Sequence, residues 1–579
     1  MDVEGQLVPK PVYLWGVLAV LTLLLYCWLL PSPIPGIPRN ESLGILGDMP
    51  SMLRYARRTG EPTAWFREQT EKLQAPLVQV FLRPFSKPFL VLADFRESQD
   101  IMMRRKDFDR SRFTNDLMGG PAPNHHIIQP TNGVWKAHRR LLQDLMTPSY
   151  LGMVGLPAVY GSALNLVKLW KVKAALAQGR PFSARGDMFF VTLDAILGFS
   201  FGDAFQHSAM RPQLDLLGSM MSEESDRLNR EDGEGRDVPV EFPEAPLNEY
   251  VDAILNAGNI LEALQSSIVP KLTYWWLSRK RAYRRAHRVK DDYIRHELEQ
   301  AVRRLEERKE DEEETWVRSA VDLMVARERK FAAQDGRTPE YYSGIMLDEI
   351  FGFVVAGHDT TSTTLLWGLK FLTANPHVQV RLRERLHAAY PSAAAEKRTP
   401  SMQEIAHTTV PYLDATVEEM LRCAKTAPAI TREATVDTQL LGYPVPKGTN
   451  VFMLSNGASF FTPSFEIDES KRSKASRAAK VRKLDESSDM AAFAPERWLV
   501  YQDGQETYDA TAGPQLVFGL GTRGCYGRRL AYLEMKVLVT LIVWTFELSP
   551  VPASLASDAA VDGLSHQPRE CYVRLREVV

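Results

Sequence analysis

Cysteine is scarce in this chain of 579 residues. The four present, Cys27, Cys423, Cys525 and Cys571, form no CxxC pair and keep no regular spacing. That excludes a disulfide framework and a cysteine-rich zinc site, and it fits a reducing compartment. A dominant charge is also missing. The 70 basic residues meet 72 acidic ones, a net −2, so nothing draws the whole chain to nucleic acid. No internal repeat recurs along it. Its apolar and charged fractions, 45% and 25%, are those of an ordinary globular protein, and one segment breaks that pattern.

Residues 11–30, PVYLWGVLAVLTLLLYCWLL, carry no charge. At about 1.5 Å per residue such a helix crosses a hydrocarbon core of roughly 30 Å. Tyr13, Trp15, Tyr26 and Trp28 suit the two interfaces. The start is acidic (Asp2, Glu4) and prolines follow at once, so the run reads as an uncleaved transmembrane helix and not as a signal peptide. Arg39, Arg54, Arg57 and Arg58 follow it while only Lys10 precedes it, which leaves residues 1–10 lumenal and the bulk of the chain cytosolic. The sequon Asn40-Glu41-Ser42 then stays bare. Residues 31–40 hold four prolines and read as a stiff hinge before a domain over 41–579.

Within that domain, short strand-like runs at 77–82 and 88–92 precede a loop rich in Gly, Pro and Asn over 112–133. Helical patterns dominate from Val134 onward. The charged stretch Arg303–Glu314 reads as a solvated helix face. Ser343–Asn375 is a long apolar helix stopped by Pro376, Pro411–Arg422 is another, and 440–451 reads as a hairpin. A basic run, KRSKASRAAKVRK from Lys471, lies in a stretch at 464–490 that reads as a disordered surface insertion. The fold class is mainly α with small β-sheets.

Cys525 stands in the loop Phe518-Gly-Leu-Gly-Thr-Arg-Gly-Cys-Tyr-Gly527, and an apolar helix pattern follows from Arg528 to Thr545. Glycines let the backbone turn tightly and bring N–H groups near the sulfur. With the helix start and Arg523 they favour a thiolate. A thiolate so held suits a haem iron that activates oxygen, because its electron push favours O–O cleavage. The same loop contains a Gly519-x-Gly521-x-x-Gly524 match to the dinucleotide fingerprint, with Glu547 where a ribose-binding acid would stand. Only about thirty residues follow Glu547, too few for the βα units of a doubly wound sheet.

Three further motifs agree with the loop: Ala356-Gly-His-Asp-Thr-Thr361 within the long helix; Glu419-Met-Leu-Arg422, answered by Phe493-Ala-Pro-Glu-Arg-Trp498; and Trp135-Lys-Ala-His-Arg139. In this order and at these distances the chain resembles the cytochrome P-450 superfamily over essentially everything after the hinge. The anchor and hinge resemble the microsomal type, with a lean towards fungal secondary metabolism. The resemblance implies a haem-thiolate monooxygenase preceded by one transmembrane helix in the endoplasmic reticulum membrane. It would insert one oxygen atom of O₂ into an apolar small molecule by hydroxylation or epoxidation. Its cofactor would be haem b, with NADPH and flavins acting through a separate NADPH-cytochrome reductase; membrane lipid is a partner and nucleic acid is not.

The resemblance also assigns roles. Cys525 is the iron ligand, and Phe518 packs against the sulfur and the haem. Trp135, Arg139, Arg432 and Arg523 bind propionates, since an arginine fork matches a carboxylate. Glu419, Arg422 and Arg497 form a structural network with every charge paired. Ala356 and Gly357 leave room for dioxygen, and a local bulge lets Thr360 hold a water there. Asp359 relays protons from solvent, and His358 is a packing residue. Substrate contacts fall in the 112–133 loop, at Phe353, Val354 and Ala356, in Ala427–Thr431 and in Leu564–Gln567. Tyr274-Trp-Trp-Leu277 dips into the membrane interface. Lys136, Arg139, Arg140, Arg528 and Arg529 steer an acidic partner. Two rival readings remain open at this point: a haem-thiolate isomerase or dehydratase that needs neither O₂ nor reductase, and a non-catalytic membrane-bound haem sensor.

Overall fold

The apolar stretch after Ser343 forms one unbroken helix, Gly344–Ala374, hereafter the central helix. The Ser343 hydroxyl accepts from the Met346 N–H at its start, and Pro376 follows its end at Asn375. It crosses the helix Arg185–Phe201, which in turn packs on Leu156–Ala177. Gly357 sits at that crossing. A Cβ there would lie 2.7 Å from a carbon of Ile196, so the glycine serves close helix approach. The helix Arg528–Thr545, at the predicted boundaries, packs against both the central helix and Leu156–Ala177.

These coordinates come from a computed structural model that describes residues 10–578, except 42–43, 84–85, 203–204, 206, 222–234, 266, 268, 309–315, 480–483, 485, 487 and 503. For residues 10–13, 27 and 28 the backbone alone is described. The segment before Lys10, expected to be lumenal, the acidic end of the charged stretch and the last basic residues of the insertion therefore lie outside the described residues. So do the side chains of Tyr13 and Trp28.

Five strands form the main sheet: β1 (Leu77–Val80), β2 (Phe89–Leu92), β3 (Phe108–Arg110), β4 (Ala429–Ala434) and β5 (Asn450–Leu454), in the order β1-β2-β5-β4-β3. β2 and β5 run parallel, and the other pairs are antiparallel. The proline hinge is stapled to β1. Buried Gln79 accepts from the Ile34 N–H (2.8 Å) and donates to the carbonyls of Ile34 (2.8 Å) and Ile37 (2.7 Å). The N-terminal helix, Lys10–Leu29, arrives at that staple, and its apolar side chains from Leu14 to Tyr26 stand exposed.

Three expectations shift. The 112–133 loop contains a helix, Arg112–Met118, whose start is capped by the Ser111 hydroxyl. The expected hairpin forms earlier: Thr438–Leu440 pairs with Tyr443–Val445, while β5 leaves to join the main sheet. The insertion is docked over 464–479, where it had been expected to be disordered. Arg472, 8% exposed, bonds Asp94 (2.9 Å) and Glu97 (3.0 Å), and Ser476, fully buried, donates to Glu97. A charge-paired anchor replaces the apolar one that a composition reading looks for.

Two adjacent carboxylates on the helix Pro411–Ala424 tie distant segments together. Glu419, fully buried, accepts from Arg422 Nε (2.8 Å) and Nη2 (2.6 Å), from the Trp498 indole (2.8 Å) and from the Ala494 N–H (2.9 Å). Arg422 also donates to the carbonyls of Phe460 (2.7 Å), Met490 (2.9 Å) and Ala492 (3.0 Å). Arg497 is the looser member: its Nε lies 3.5 Å from Glu419 and makes no hydrogen bond, while its other nitrogens reach Ser488 and the Asp489 carbonyl. Glu418 accepts from Tyr508 (2.6 Å), Gln515 (3.0 Å) and Tyr532. Removing one partner of a buried ion pair costs about 3–5 kcal/mol. Glu419→Ala is therefore expected to lower the melting temperature steeply and to abolish recovery of folded protein at growth temperature, whereas Arg497→Ala costs far less; equal melting temperatures for both variants would refute this ranking.

Candidate active site

The cysteine loop is shaped by three backbone bonds and two left-handed glycines. The Cys525 N–H donates to the Phe518 carbonyl (2.7 Å), the Gly519 N–H to Leu516 (2.7 Å) and the Gly524 N–H to Gly521 (3.0 Å). Gly519 and Gly521 have φ of 60° and 69°. A Cβ on Gly521 would fall 2.2 Å from the Met102 carbonyl oxygen, so only glycine fits beneath the helix Phe95–Met103. Phe518 packs on Tyr532 (5.4 Å between ring centres), and the Arg528 guanidinium lies over both rings.

Cys525 opens onto a cavity whose other walls come from distant parts of the chain. His125, His126 and Ile127, Trp135 and Arg139, β3 and β4, the central helix and Arg185–Phe201 all contribute. Burial pushes the Cys525 thiol above its ordinary value. The N–H groups of Gly527 and Arg528 and the charges of Arg139 and Arg528 pull the other way without winning. Arg523, expected to help hold a thiolate, is turned elsewhere. Its guanidinium stacks 4.9 Å from the Trp135 ring and donates to the Ile127 carbonyl (3.3 Å). Arg139 stacks on Tyr526 (4.3 Å) and on Trp135 (5.7 Å).

The cavity carries a surplus of positive charge. Arg110, Arg139, Arg432 and Arg523 all line it. Burial holds Arg110 down to about 9 and Arg432 and Arg523 to about 10, with mutual repulsion adding to the effect at Arg110 and Arg523. Asp109 is the carboxylate acting on Arg110, Arg432 and Arg523, and it is already occupied by the Thr131 N–H (2.8 Å) and hydroxyl (2.5 Å). Arg110 Nε is buried with no hydrogen-bond partner. Such a wall calls for an anionic ligand. A planar group carrying two carboxylates and a thiol-seeking metal fits these donors.

The distal wall is mostly apolar: Ile196, Phe353, Ala356, Gly357 and Ile430. Thr360 faces the cavity and donates to the Ala356 carbonyl (2.9 Å). The expected bulge is absent, because that one bond is satisfied inside an unbroken helix. Asp359 points away from the cavity. Its carboxylate accepts from the Ser565 hydroxyl (2.7 Å) and the Gln567 amide (3.1 Å), and burial raises it to about 6. Leu564–Gln567 thus holds Asp359, and Leu564, Ser565, His566 and Gln567 are not among the cavity-lining residues. Val354 faces the core, where its carbonyl bonds the His358 ring (3.0 Å); His358 is packed, as expected. Glu419, Arg422 and Arg497 lie outside the cavity.

Four functional candidates escaped sequence reasoning. Arg110 gave no signal, since an arginine in a short strand is ordinarily exposed. His125 and His126 sat in the loop rich in Gly, Pro and Asn to which substrate contacts were assigned as a whole, without either being singled out. Glu349 left a trace: an acid inside an apolar helix pattern must find a partner. It accepts from the His126 N–H (2.6 Å) and bonds the rings of His126 (2.6 Å) and His138 (3.1 Å), while Asp348 accepts twice from Asn124. Burial alone would raise the Glu349 carboxyl, but His125, His126 and His138 hold it far below the usual carboxylate range. These bonds pin the 112–133 loop over the cavity. Burial also lowers His125 to about 4, so that ring is neutral.

A cysteine under an arginine-lined cavity, faced by a mostly apolar helix that presents Thr360, defines a haem-thiolate protein. Comparison with known proteins agrees. The family model for cytochrome P450 matches residues 51–459 and 488–572. Cytochrome P450 monooxygenase TRI13 of Fusarium sporotrichioides is 41% identical over 575 residues, covering 96% of this chain and 97% of that protein. Cytochrome P450 monooxygenase GME11363 of Pestalotiopsis microspora is 36% identical, covering 97% of each. Cytochrome P450 monooxygenase xilC of Penicillium crustosum is also 36% identical, covering 98% and 96%. The solved haem domain of cytochrome P450DA matches with a TM-score of 0.63 at 19% identity, over 95% of this chain and 98% of that one. The chain belongs to the cytochrome P450 family and is a monooxygenase.

The arginine surplus makes a two-sided prediction. Arg110→Met removes a desolvated cation whose Nε has no hydrogen-bond partner and which two neighbouring arginines repel, so the haem-free chain becomes more stable by about 1–3 kcal/mol. The same change weakens haem retention, seen as a lower haem-to-protein ratio after gel filtration. A variant that loses stability and keeps its haem would show that Arg110 serves the fold alone.

Proposed function

We propose that this monooxygenase is anchored in the endoplasmic reticulum membrane and oxidises an apolar small molecule of fungal secondary metabolism, drawing electrons from a separate NADPH-dependent flavin reductase. The observation that carries the reading is the meeting of Cys525, four arginines and Thr360 on one cavity with apolar walls. When bound, haem supplies the activation of O₂. Cys525 Sγ is the ligand to its iron, and iron's charge outweighs the burial that keeps the thiol protonated in its absence. Arg110, Arg139, Arg432 and Arg523 take the two propionates, which neutralise the surplus cations. The Trp135 ring, between Arg139 and Arg523, fixes both forks.

Thr360 gives its own proton to the Ala356 carbonyl, so its oxygen is free to accept from a water in the cavity. Asp359, one residue away, holds a proton up to about pH 6; to deliver it towards that water its carboxyl turns from Ser565 and Gln567 into the cavity. Phe353, Ile196 and Ile430 exclude bulk water and favour an apolar ligand. The names of the fungal relatives support the monooxygenase class, and the apolar helix Lys10–Leu29 supports the anchor. A second lipid-facing feature agrees. On the helix Pro270–Leu277, Leu272, Trp275 and Trp276 are more than half exposed, with Arg279 and Lys280 held over the two indole rings. Tyr274 turns inward against Gly120 of the loop over the cavity, which leaves the two tryptophans as the interfacial pair.

Two tests follow. Membranes carrying the full chain, reduced and treated with carbon monoxide, are expected to show the red-shifted Soret band of a thiolate-bound haem, and Cys525→Ser to lose it. A band at the ordinary haem position in the native chain would refute thiolate ligation. The second test is pH. Because burial raises Asp359 in the folded state, its contribution to stability is complete below the ordinary carboxylate range and is lost as pH rises through about 6. Its capacity to donate a proton falls over the same interval. The fraction of NADPH consumption that ends in product should therefore decline with an apparent midpoint near 6, and in Asp359→Asn that midpoint should vanish with coupling about 10²-fold lower. An unchanged profile in the variant would remove Asp359 from the proton path.

A further inference from the structure

Residues 460–487 fall outside the family match, and the basic run from Lys471 lies within them. The described part is held where it matters. Its anchor is the helix Phe95–Met103, whose last turn meets Gly521 of the cysteine loop. Arg472 is buried between Asp94 and Glu97, and the Ser473 hydroxyl donates to Asp100 (2.7 Å). From the opposite side, Arg96 donates to the carbonyls of Ser476 (2.7 Å) and Arg477 (2.8 Å) and to Glu469 (2.9 Å). The result is an open groove of ≈ 980 Å³. Arg472 and Ala479 line one wall of it; Phe518, Leu520 and Arg528 of the cysteine loop and its helix line the other.

The charges on this wall sort cleanly. Each acid of the anchor is consumed: Asp94 and Glu97 by Arg472, Asp100 by Arg104 (2.6 Å), and Glu469 by Arg96 and Arg472. Lys471, Lys474 and Arg477 remain exposed, and none of the three is in an ion pair among the described residues. No acid occurs between Lys471 and Lys483, and of the acids just before the run Asp468, held below its ordinary value mainly by bonds from Ser470, lies near enough to Lys471 for that charge to add to the effect. A stretch outside the family pattern thus reaches the groove beside the cysteine loop through Glu469, Arg472 and Ala479, and its exposed cations alternate in sequence with these lining residues. Such cations steer an acidic surface towards that groove.

We propose that this insertion is a docking surface for the electron donor: Lys471, Lys474 and Arg477 receive acidic side chains of the reductase and seat it over the groove behind Cys525. This rests on the reading that electrons come from a separate reductase. The test uses the full chain in nanodiscs with a fungal NADPH-dependent reductase and the triple variant Lys471→Glu, Lys474→Glu, Arg477→Glu. Arg472, Ser473 and Ser476 are kept so that the anchor stays intact. The reductase concentration for half-maximal turnover is expected to rise about tenfold at low salt, and the gap to the native chain to close as salt screens the contact. Peroxide-driven turnover, which bypasses the reductase, and the carbon monoxide band should be unchanged. The neutral triple variant to Gln should move the same way by less, and Arg284→Glu with Arg288→Glu on the distant-in-sequence helix Arg281–Glu307 should not move at all.

An unchanged half-saturation, or a shift that salt does not close, overturns the proposal. So does a variant that loses only its binding to phosphatidylserine vesicles, which would assign the basic run to lipid. A native chain with a normal carbon monoxide band and peroxide activity but no turnover with any reductase overturns the electron-donor reading itself, and the proposal with it.

Discussion

Two neighbouring carboxylates, Glu418 and Glu419, bear the constraint on which the site depends. Adjacent positions on a helix point about 100° apart, so one buried turn of Pro411–Ala424 grips two separate segments. Glu419 holds the 490–498 stretch through Arg422, Trp498 and Ala494. Glu418 holds Tyr508 and Gln515 before the cysteine loop and Tyr532 after it. The loop has few side chains of its own to pack, because its turns demand glycine. Its rigidity must be imported at both ends, and buried hydrogen bonds to carboxylate supply it where water cannot compete. Both carboxylates are fully buried, so each bond is also costly to leave unmade.

The second constraint works in the opposite direction. Where the fold around Glu419 is saturated with partners, the cavity wall is starved of them. Arg110, Arg432 and Arg523 sit in low-dielectric surroundings with one engaged aspartate between them. Burial weighs against the charge of each. A site preorganised for dianionic ligand edges must hold its cations in place before the ligand arrives, and the strain of doing so is local. The lid above the cavity is fixed by different means, through Asp348 and Glu349, so loop position and ligand binding are separately secured.

Long-period features of this fold were legible in the sequence and local exceptions were not. The central helix and Arg528–Thr545 appeared at their predicted ends because apolar periodicity, a serine cap and a following proline are written in contiguous residues. The cysteine loop was legible because its glycines are forced by geometry. Gly357 was read as space for a ligand, yet its missing side chain accommodates Ile196 from a helix about 160 residues earlier, which no local pattern encodes. Asp359 was read as a relay of protons from solvent, and the local pattern gave no sign that Ser565 and Gln567, about 200 residues later, hold its carboxylate. Glu418 was overlooked beside Glu419 because a carboxylate bound by tyrosines leaves no spaced opposite charge to find.

The insertion shows the same limit from the other side. Its composition, basic and low in apolar residues, is that of a segment that cannot bury enough surface to fold. That argument assumes apolar burial as the means of docking. Here charged and hydroxyl side chains do the work: Arg472, Ser473 and Ser476 meet Asp94, Glu97 and Asp100, and Asp94 is itself the N-cap of its helix, accepting from the Glu97 N–H (2.8 Å). The anchoring residues alternate with Lys471, Lys474 and Arg477, which stay exposed. A segment can therefore dock through buried polar bonds to a helix that packs on the cysteine loop while keeping a charged outer face, a mode of attachment that composition alone does not reveal.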